Sequence, residues 1–351
     1  MQESAPSPSL QRARLRRLFA CGALLLGALV AALVAEVGLR VAKVDVPARR
    51  HFAPGIYRAD ETLAWALLPD YQGVHREYEF DARTSTNAAG FRDRPWDAAR
   101  RGARWRVLCL GDSCTFGRGV HDGEDYPSQL EPLLAERLGE VAVFNAGVPG
   151  YDSVQEDLVH AILQPELRPQ VVIVGWLPND EIERSVNSRE LLQVIDGQLV
   201  YDVERYQEWK RKIEGGGVYG SALYRYLKRA AKQLQGRDHD WKVDLSDLSY
   251  SQAALTRIHE RAQAAGARML LVLFPRLEEL GEAPVEHHRV LASWAQERGI
   301  EVVDLPAAWR GKQAEWAQRF LPRDNVHFTP EGYRLVAEAI AQAKLWGELP
   351  R

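Results

Sequence analysis

Apolar residues follow three rhythms along the chain. Leu18 to Ala35 is an unbroken uncharged run made mostly of Leu, Ala, Val and Gly. From about Val44 to Arg104 turn formers are frequent, with a weak two-residue alternation through Tyr71, Tyr78 and Phe80. From Trp105 onward, short continuous apolar runs alternate with stretches of helical period. The runs Val107 to Leu110, Val141 to Phe144, Val171 to Gly175, Met269 to Phe274 and Val302 to Leu305 read as five buried strands. One helical pattern begins near Tyr126 with Pro127 in its first turn, repeats Leu130, Leu133, Leu134 and Leu138, and stops at Gly139. Others cover Ser153 to Leu163, the segment holding Ala254, Ile258 and Ala262, and Val290 to Arg298. Strands joined through helices imply right-handed crossovers, and hence an α/β domain with a parallel sheet covered on both faces.

The run 18–35 is about 18 residues long, near the lower limit for crossing a bilayer as a helix. A cleaved signal peptide is the competing reading, since a basic flank and an apolar core with small residues serve both. The run exceeds a usual signal core and the apolar pattern resumes after Glu36 with Val37, Leu39 and Val41, which favours an uncleaved signal anchor. Arg12, Arg14, Arg16 and Arg17 precede the run closely, against Arg40, Lys43, Arg49 and Arg50 beyond it. That balance leaves residues 1–17 as a cytoplasmic tail and the bulk extracytoplasmic, periplasmic or on the cell surface. Residues 36–103 then form an extension packed on a main domain at 104–347.

Between Glu181 and Tyr250 the rhythm breaks. Leu191 to Val203 reads as a hairpin around Asp196-Gly197, and Leu223 to Leu234 as a basic amphipathic helix. This insertion (181–250) leaves from the Asn179 loop, so a lid over a site and a plain cover for a sheet edge are both open. A formal net charge of −3 over 351 residues argues against a nucleic-acid partner. The three cysteines, Cys21, Cys109 and Cys114, make no disulfide framework, and metal-ligand spacing is lacking, so no metal site is expected.

Four islands carry chemistry: Gly111-Asp112-Ser113, Asn145-Ala146-Gly147-Val148-Pro149-Gly150, Asn179-Asp180 and Asp324-Asn325-Val326-His327. All of them are expected at the carboxyl ends of strands, where open α/β sheets bind ligands. Ester hydrolysis needs a nucleophilic hydroxyl, a base, a carboxylate to orient the base, and donors for the oxyanion. Ser113, His327 and Asp324 can fill the first three roles. The fourth can come from the N–H groups of Ser113 and Gly150 and the amide of Asn179. Asp112 would brace the turn and Gly147 would serve backbone conformation. Ser113 lacks the second glycine of the Gly-x-Ser-x-Gly elbow, since Cys114 follows it and reads as packing.

In this order and spacing the islands resemble the SGNH (GDSL-type) hydrolase family. The segment Thr86-Asn87-Ala88-Ala89-Gly90-Phe91-Arg92 is similar to one found upstream of the catalytic domain in its membrane-anchored bacterial members. The resemblance covers roughly residues 104 to 345. It implies a flavodoxin-like three-layer α/β/α sandwich preceded by a transmembrane helix, with neither metal nor organic cofactor. It also implies Ser113, Asp324 and His327 as catalytic residues and Ser113, Gly150 and Asn179 as the oxyanion hole. One departure is the three residues Trp176-Leu177-Pro178 between Gly175 and Asn179, where the family usually has one. The implied activity is hydrolysis of carboxylic esters, acetyl or other acyl, on an ester or acylated-carbohydrate substrate. An O-acyltransferase acting on cell-surface polysaccharide and a noncatalytic binding module are the alternatives. Trp176 is a candidate for stacking on a sugar or for core packing. Asn87 and Arg92 are candidates for packing the extension or for touching substrate.

Overall fold

The five apolar runs pair into one parallel sheet. The computed structural model describes residues 8–42, 51–77, 80–182, 192–214, 216, 218–233, 245–322 and 324–349. The chain divides into two units, Met1–Ala48 with Gln207–Leu234 and Arg49–Tyr206 with Gln235–Arg351.

The first unit holds helix α1 (Pro8–Val41). Its apolar stretch runs from Arg14 to Val41, the most apolar window has mean hydropathy 2.6, and none of that window is buried. The helix is longer than the 18–35 run because Glu36 does not break it. Glu36 pairs with Arg40 one turn on, at 2.6 Å, while Val37 and Val41 continue the apolar surface.

The second unit starts with short antiparallel strands: β1 (His51–Ala53), β2 (Tyr57–Asp60), β3 (Ala64–Leu67), β4 (Gln72–Arg76) and β5 (Asp81–Ser85). They form a β1-β4-β5 sheet and a β2-β3 hairpin, so the turn-rich stretch carries more sheet than its composition suggests. Helix α2 (Ala98–Gly102) leads into β6 (Trp105–Gly111), α3 (Ser113–Phe116), α4 (Tyr126–Leu138), β7 (Val141–Asn145), α5 (Ser153–Leu167) and β8 (Val171–Trp176). The hairpin β9 (Gln193–Ile195) and β10 (Gln198–Val200) follows. Asp196 and Gly197 at its turn have φ of 52° and 68°, as a type I′ turn requires. Helices α6 (Val203–Glu214) and α7 (Ala222–Gln233) come next, most of α6 and all of α7 belonging to the first unit. The chain then completes the sheet through α8 (Ser249–Ala264), β11 (Arg268–Leu273), α9 (Glu286–Glu297) and β12 (Glu301–Asp304). It ends in α10 (Leu305–Ala308), α11 (Gln313–Trp316) and α12 (Pro330–Ala341).

The sheet order is β7-β6-β8-β11-β12, with every pairing parallel. In order of appearance that is 2-1-3-4-5, the flavodoxin-like arrangement, whose direction reverses between β6 and β8. Successive residues of each strand feed opposite cores. Leu108, Leu110, Val172 and Val174 pack with Val159, Leu163 and Ile258 on one face. Val107, Ile173 and Val272 pack with Leu130, Leu134, Val336 and Ile340 on the other. The sheet is therefore buried on both sides, and only its strand ends are left for chemistry.

Candidate active site

Strand β6 ends at Gly111, and Asp112 caps α3 by accepting the Cys114 N–H at 2.8 Å. Ser113 is thus the first residue of a four-residue helix that stops at Gly117. The turn is held from outside as well as from within. The guanidinium of Arg92 donates to the carbonyls of Phe116 (3.0 Å), Gly117 and Val120 (2.6 Å), and Asn145 donates to Thr115 O at 3.0 Å. Burying these carbonyls without donors would cost more than any single bond returns. Arg92 and Asn87 are accordingly structural: Asn87 accepts from the Ala89 and Phe91 amides and donates to Arg94 O.

His327 sits on a loop pinned at both ends. Its carbonyl accepts from the Leu321 N–H at 2.8 Å, and two residues later Thr329 caps α12 through Gly332 N. The Ser113 hydroxyl lies 2.7 Å from His327 Nε2, and His327 Nδ1 lies 2.8 Å from Asp324 Oδ2. Asp324 Oδ1 accepts the amides of Val326 (2.8 Å) and His327 (3.0 Å), which fixes the carboxylate against its own loop. Burial opposes the charge on Asp324, yet the imidazole of His327, the Arg118 guanidinium and the His327 amide together hold its pKa well below the usual carboxylate range. The alignment gives a serine whose proton has an acceptor and an imidazole whose second nitrogen is held by an anion.

Gly150 lies in the loop after β7 with φ of +84°, a conformation open to glycine and strained for other residues. Gly147 has no positive φ. A Cβ there would stand 2.4 Å from Phe116 N, so it is glycine for close approach to α3 and not for conformation, contrary to the reading of the sequence. Asn179 lies in a single 3₁₀ turn, Pro178–Glu181, held by Asp180 accepting Leu177 N–H at 2.8 Å. Its Nδ2 donates to Asp112 Oδ2 at 2.9 Å, which joins Asn179 directly to the serine turn. The unusual spacing is absorbed because β8 runs one residue past Gly175, to Trp176, before the chain turns. Gly175 itself pairs with Gly111 across the strands.

Ser113, Gly150, Asn179 and His327 border one cavity of about 390 Å³. Its other walls come from regions without motifs. The extension contributes His51, Phe52, Tyr57 and His75, the hairpin contributes Gln198, Leu199 and Tyr201, and the segment after Ser113 contributes Arg118. Gln198 fastens hairpin to extension by accepting Phe52 N–H (3.1 Å) and donating to Phe52 O (2.7 Å). Arg118 and His75 share the buried carboxylate of Glu77. Burial pushes the His75 pKa down to about 4, so its ring is neutral at ordinary pH, while Glu77 and Asp324 push Arg118 up against the opposing effect of burial.

The sequence did not single out the aromatic residues here, and it left Trp176 open between sugar stacking and core packing. That side chain is fully buried with its Nε1 on Ser251 Oγ at 3.0 Å, so no sugar can stack on it. The insertion is divided: its hairpin walls the cavity, whereas α7 belongs to the other unit. Cys109 and Cys114 are buried, and burial raises both thiols far above the range where thiolate chemistry occurs. Glu156, on α5, is buried with no hydrogen-bond partner among the described residues. Burial and the charges of Asp112 and Asp152 push its pKa well above the ordinary carboxylate value. Glu279, His287 and His288 bring ligand-type atoms within 4.8 Å of one another. The Arg276 guanidinium donates to Glu279 from Nε (2.9 Å) and Nη2 (2.8 Å), so the carboxylate already serves a cation.

The model of the GDSL-like lipase/acylhydrolase family matches residues 109–335, which is more than half of the chain. No curated protein matches it. Among solved structures, a lipase/acylhydrolase from Enterococcus faecalis aligns at 18% identity over 70% of this chain and 97% of its own, with a TM-score of 0.41. A G-D-S-L lipolytic protein from Veillonella parvula aligns at 16% identity over 70% of this chain and 100% of its own, with a TM-score of 0.42. An acetyl xylan esterase aligns at 16% identity over 67% and 97%, with a TM-score of 0.40. From the family match over the whole serine-to-histidine span, the chain belongs to the GDSL-like lipase/acylhydrolase family and is a hydrolase of ester bonds.

Proposed function

We propose that the protein is a membrane-anchored serine esterase that removes small acyl groups, acetyl above all, from hydroxyl-rich substrates outside the cytoplasm. The observation that carries this reading is the relay Ser113–His327–Asp324, at 2.7 and 2.8 Å, opening on a small polar and aromatic cavity. The Ser113 hydroxyl gives its proton to His327 Nε2 as Oγ attacks the acyl carbon. The Ser113 and Gly150 N–H groups and the Asn179 amide receive the oxyanion. His327 then protonates the departing alcohol, leaving an acyl-serine. Water, deprotonated by the same nitrogen, releases the acid and restores the serine.

The cavity favours a short acyl group. About 390 Å³ lined chiefly by His, Tyr, Gln and Arg, with Leu199 and Pro149 as its aliphatic members, suits a polyol held by hydrogen bonds and ring faces better than a long alkyl chain. The anchor reading rests on the unburied apolar helix α1 and on the arginines before it.

The test uses purified full-length protein with acetyl, butyryl and octanoyl esters and with an acetylated oligosaccharide. Acetyl release should be fastest, and Ser113→Ala should abolish both turnover and labelling by a fluorophosphonate. Label retained in that variant, or octanoate preferred over acetate, counts against the proposal. Acetyl transfer to an added saccharide acceptor in place of acetate release would identify an acyltransferase.

A further inference from the structure

Helix α7 is tied to helix α1 by one carboxylate. Glu36, near the end of α1, accepts from Ser221 Oγ (2.8 Å) and from the backbone amides of Ala222 (3.0 Å) and Leu223 (2.8 Å). These amides open α7 and have no acceptor within their own helix, so Glu36 caps a helix that begins 186 residues later. Arg40 adds a bond from Nη2 to Gly220 O at 3.1 Å while its Nε holds Glu36.

The depth of that junction follows from the helix rise. The uncharged run 18–35 is roughly 27 Å long at 1.5 Å per residue, close to the hydrocarbon thickness of a bilayer. Glu36 and Arg40 then stand where hydrocarbon gives way to headgroups, and the start of α7 stands with them. The composition of α7 fits that depth. Its twelve residues hold Arg225, Lys228, Arg229 and Lys232 and no acid. Leu223, Tyr226, Leu227 and Ala230 recur at helical spacing. Tyr226 is 46% exposed and Leu227 56%, and Val218 just before the helix is 57% exposed. Single exposed apolar residues are common, but an apolar row flanked only by cations, fixed beside a bilayer span, is the pattern of an interfacial helix.

We propose that α7 is an in-plane membrane helix, lying in the headgroup region of an anionic leaflet with Leu223, Tyr226 and Leu227 toward the acyl chains. The inference rests on the reading of α1 as a retained bilayer-spanning anchor. The anionic character follows from the four cations, each of which gains from a negative surface.

The experiment uses full-length protein in nanodiscs of phosphatidylcholine with phosphatidylglycerol. Nitroxide labels are placed singly at Leu26→Cys, Leu227→Cys and Lys228→Cys, with Cys21→Ser removing the exposed thiol. Accessibility to oxygen and to a water-soluble nickel complex is then compared. Labels at 26 and 227 should favour oxygen and the label at 228 the nickel complex, and Glu36→Ala should diminish the contrast between 227 and 228. A nickel-accessible label at 227 beside an oxygen-accessible label at 26 would sink the proposal while leaving the anchor intact. Protection of 227 from both reagents, the mark of a protein partner, would also overturn it. A nickel-accessible label at 26 would remove the anchor reading and this one with it. Hydrogen exchange on the unsubstituted protein gives a second measure: amides of 222–233 should exchange more slowly in anionic than in purely zwitterionic discs, and equal rates would contradict the anionic leaflet.

Discussion

The edge of the parallel sheet and the antiparallel strands of the extension meet at the same cavity, but they are built differently. β8 is buried along its whole length and β6 at every residue but Arg106, and the groups they deliver, Ser113 and Asn179, are hydrogen-bonded to each other through Asp112. The extension and hairpin offer strands of three to five residues, joined to each other by the side chain of Gln198. Bond-breaking tolerates little displacement of the reacting atoms, whereas a wall needs only shape and a few donors. The division suggests that the sheet edge sets the reaction and the antiparallel strands choose the ester.

The comparison can be broken most directly at the nucleophile. Ser113→Ala, or His327→Ala, should lower turnover by roughly 10⁴- to 10⁶-fold on every ester, measured as initial rates with the fold checked by circular dichroism. A loss confined to one substrate would mean that the sheet edge also selects. Asn179→Ala should cost about a hundredfold or more in kcat with KM nearly unchanged, since in the proposed mechanism its donor acts on the developing oxyanion. Tyr57→Ala and Tyr201→Ala should change rates only several-fold on an activated acetyl ester while altering the ranking of acetyl, butyryl and saccharide substrates. Equal effects on all three would remove the wall from specificity.

Two smaller effects concern stability. His75 lies within the extension, on β4, and is buried neutral, with its pKa near 4 against about 6.5 in the unfolded chain. The unfolded chain binds the extra proton first, so this contribution is intact above pH 6.5 and lost as pH falls toward 4. Thermal melts should show that loss, and His75→Gln should blunt it. Glu156 has the opposite sign: its raised pKa means that stability is lost as pH rises above the ordinary carboxylate range. Glu156→Gln should therefore raise Tm by a few degrees at neutral pH and leave it nearly unchanged near pH 4.

The parallel strands were legible because burial on both faces writes a strand as a continuous apolar run, as in Val171-Val172-Ile173-Val174. That Ser113, Asp324 and His327 come together was legible because the four islands keep the order and spacing of a known family, and the three side chains do meet. His51, Phe52 and Tyr57 were not, since nothing near them in sequence indicates that β1 and β2 return to the serine. Arg118 lies five residues beyond Ser113, but its partners are Glu77 and Asp324, far along the chain in opposite directions. Trp176 stood open between sugar stacking and core packing, because an aromatic residue at the end of a strand near a site fits both until Ser251 is brought against it.

Arg92 bears on how this enzyme can be dissected. The match to the family begins at residue 109, an inviting place to cut the chain. A fragment starting there would leave the carbonyls of Phe116, Gly117 and Val120 without their donor, directly behind Ser113. It would also lack the β1 and β2 side of the cavity. The smallest piece worth expressing for catalysis therefore begins near residue 51, and a homologue without an arginine equivalent to Arg92 must secure its serine turn by other means.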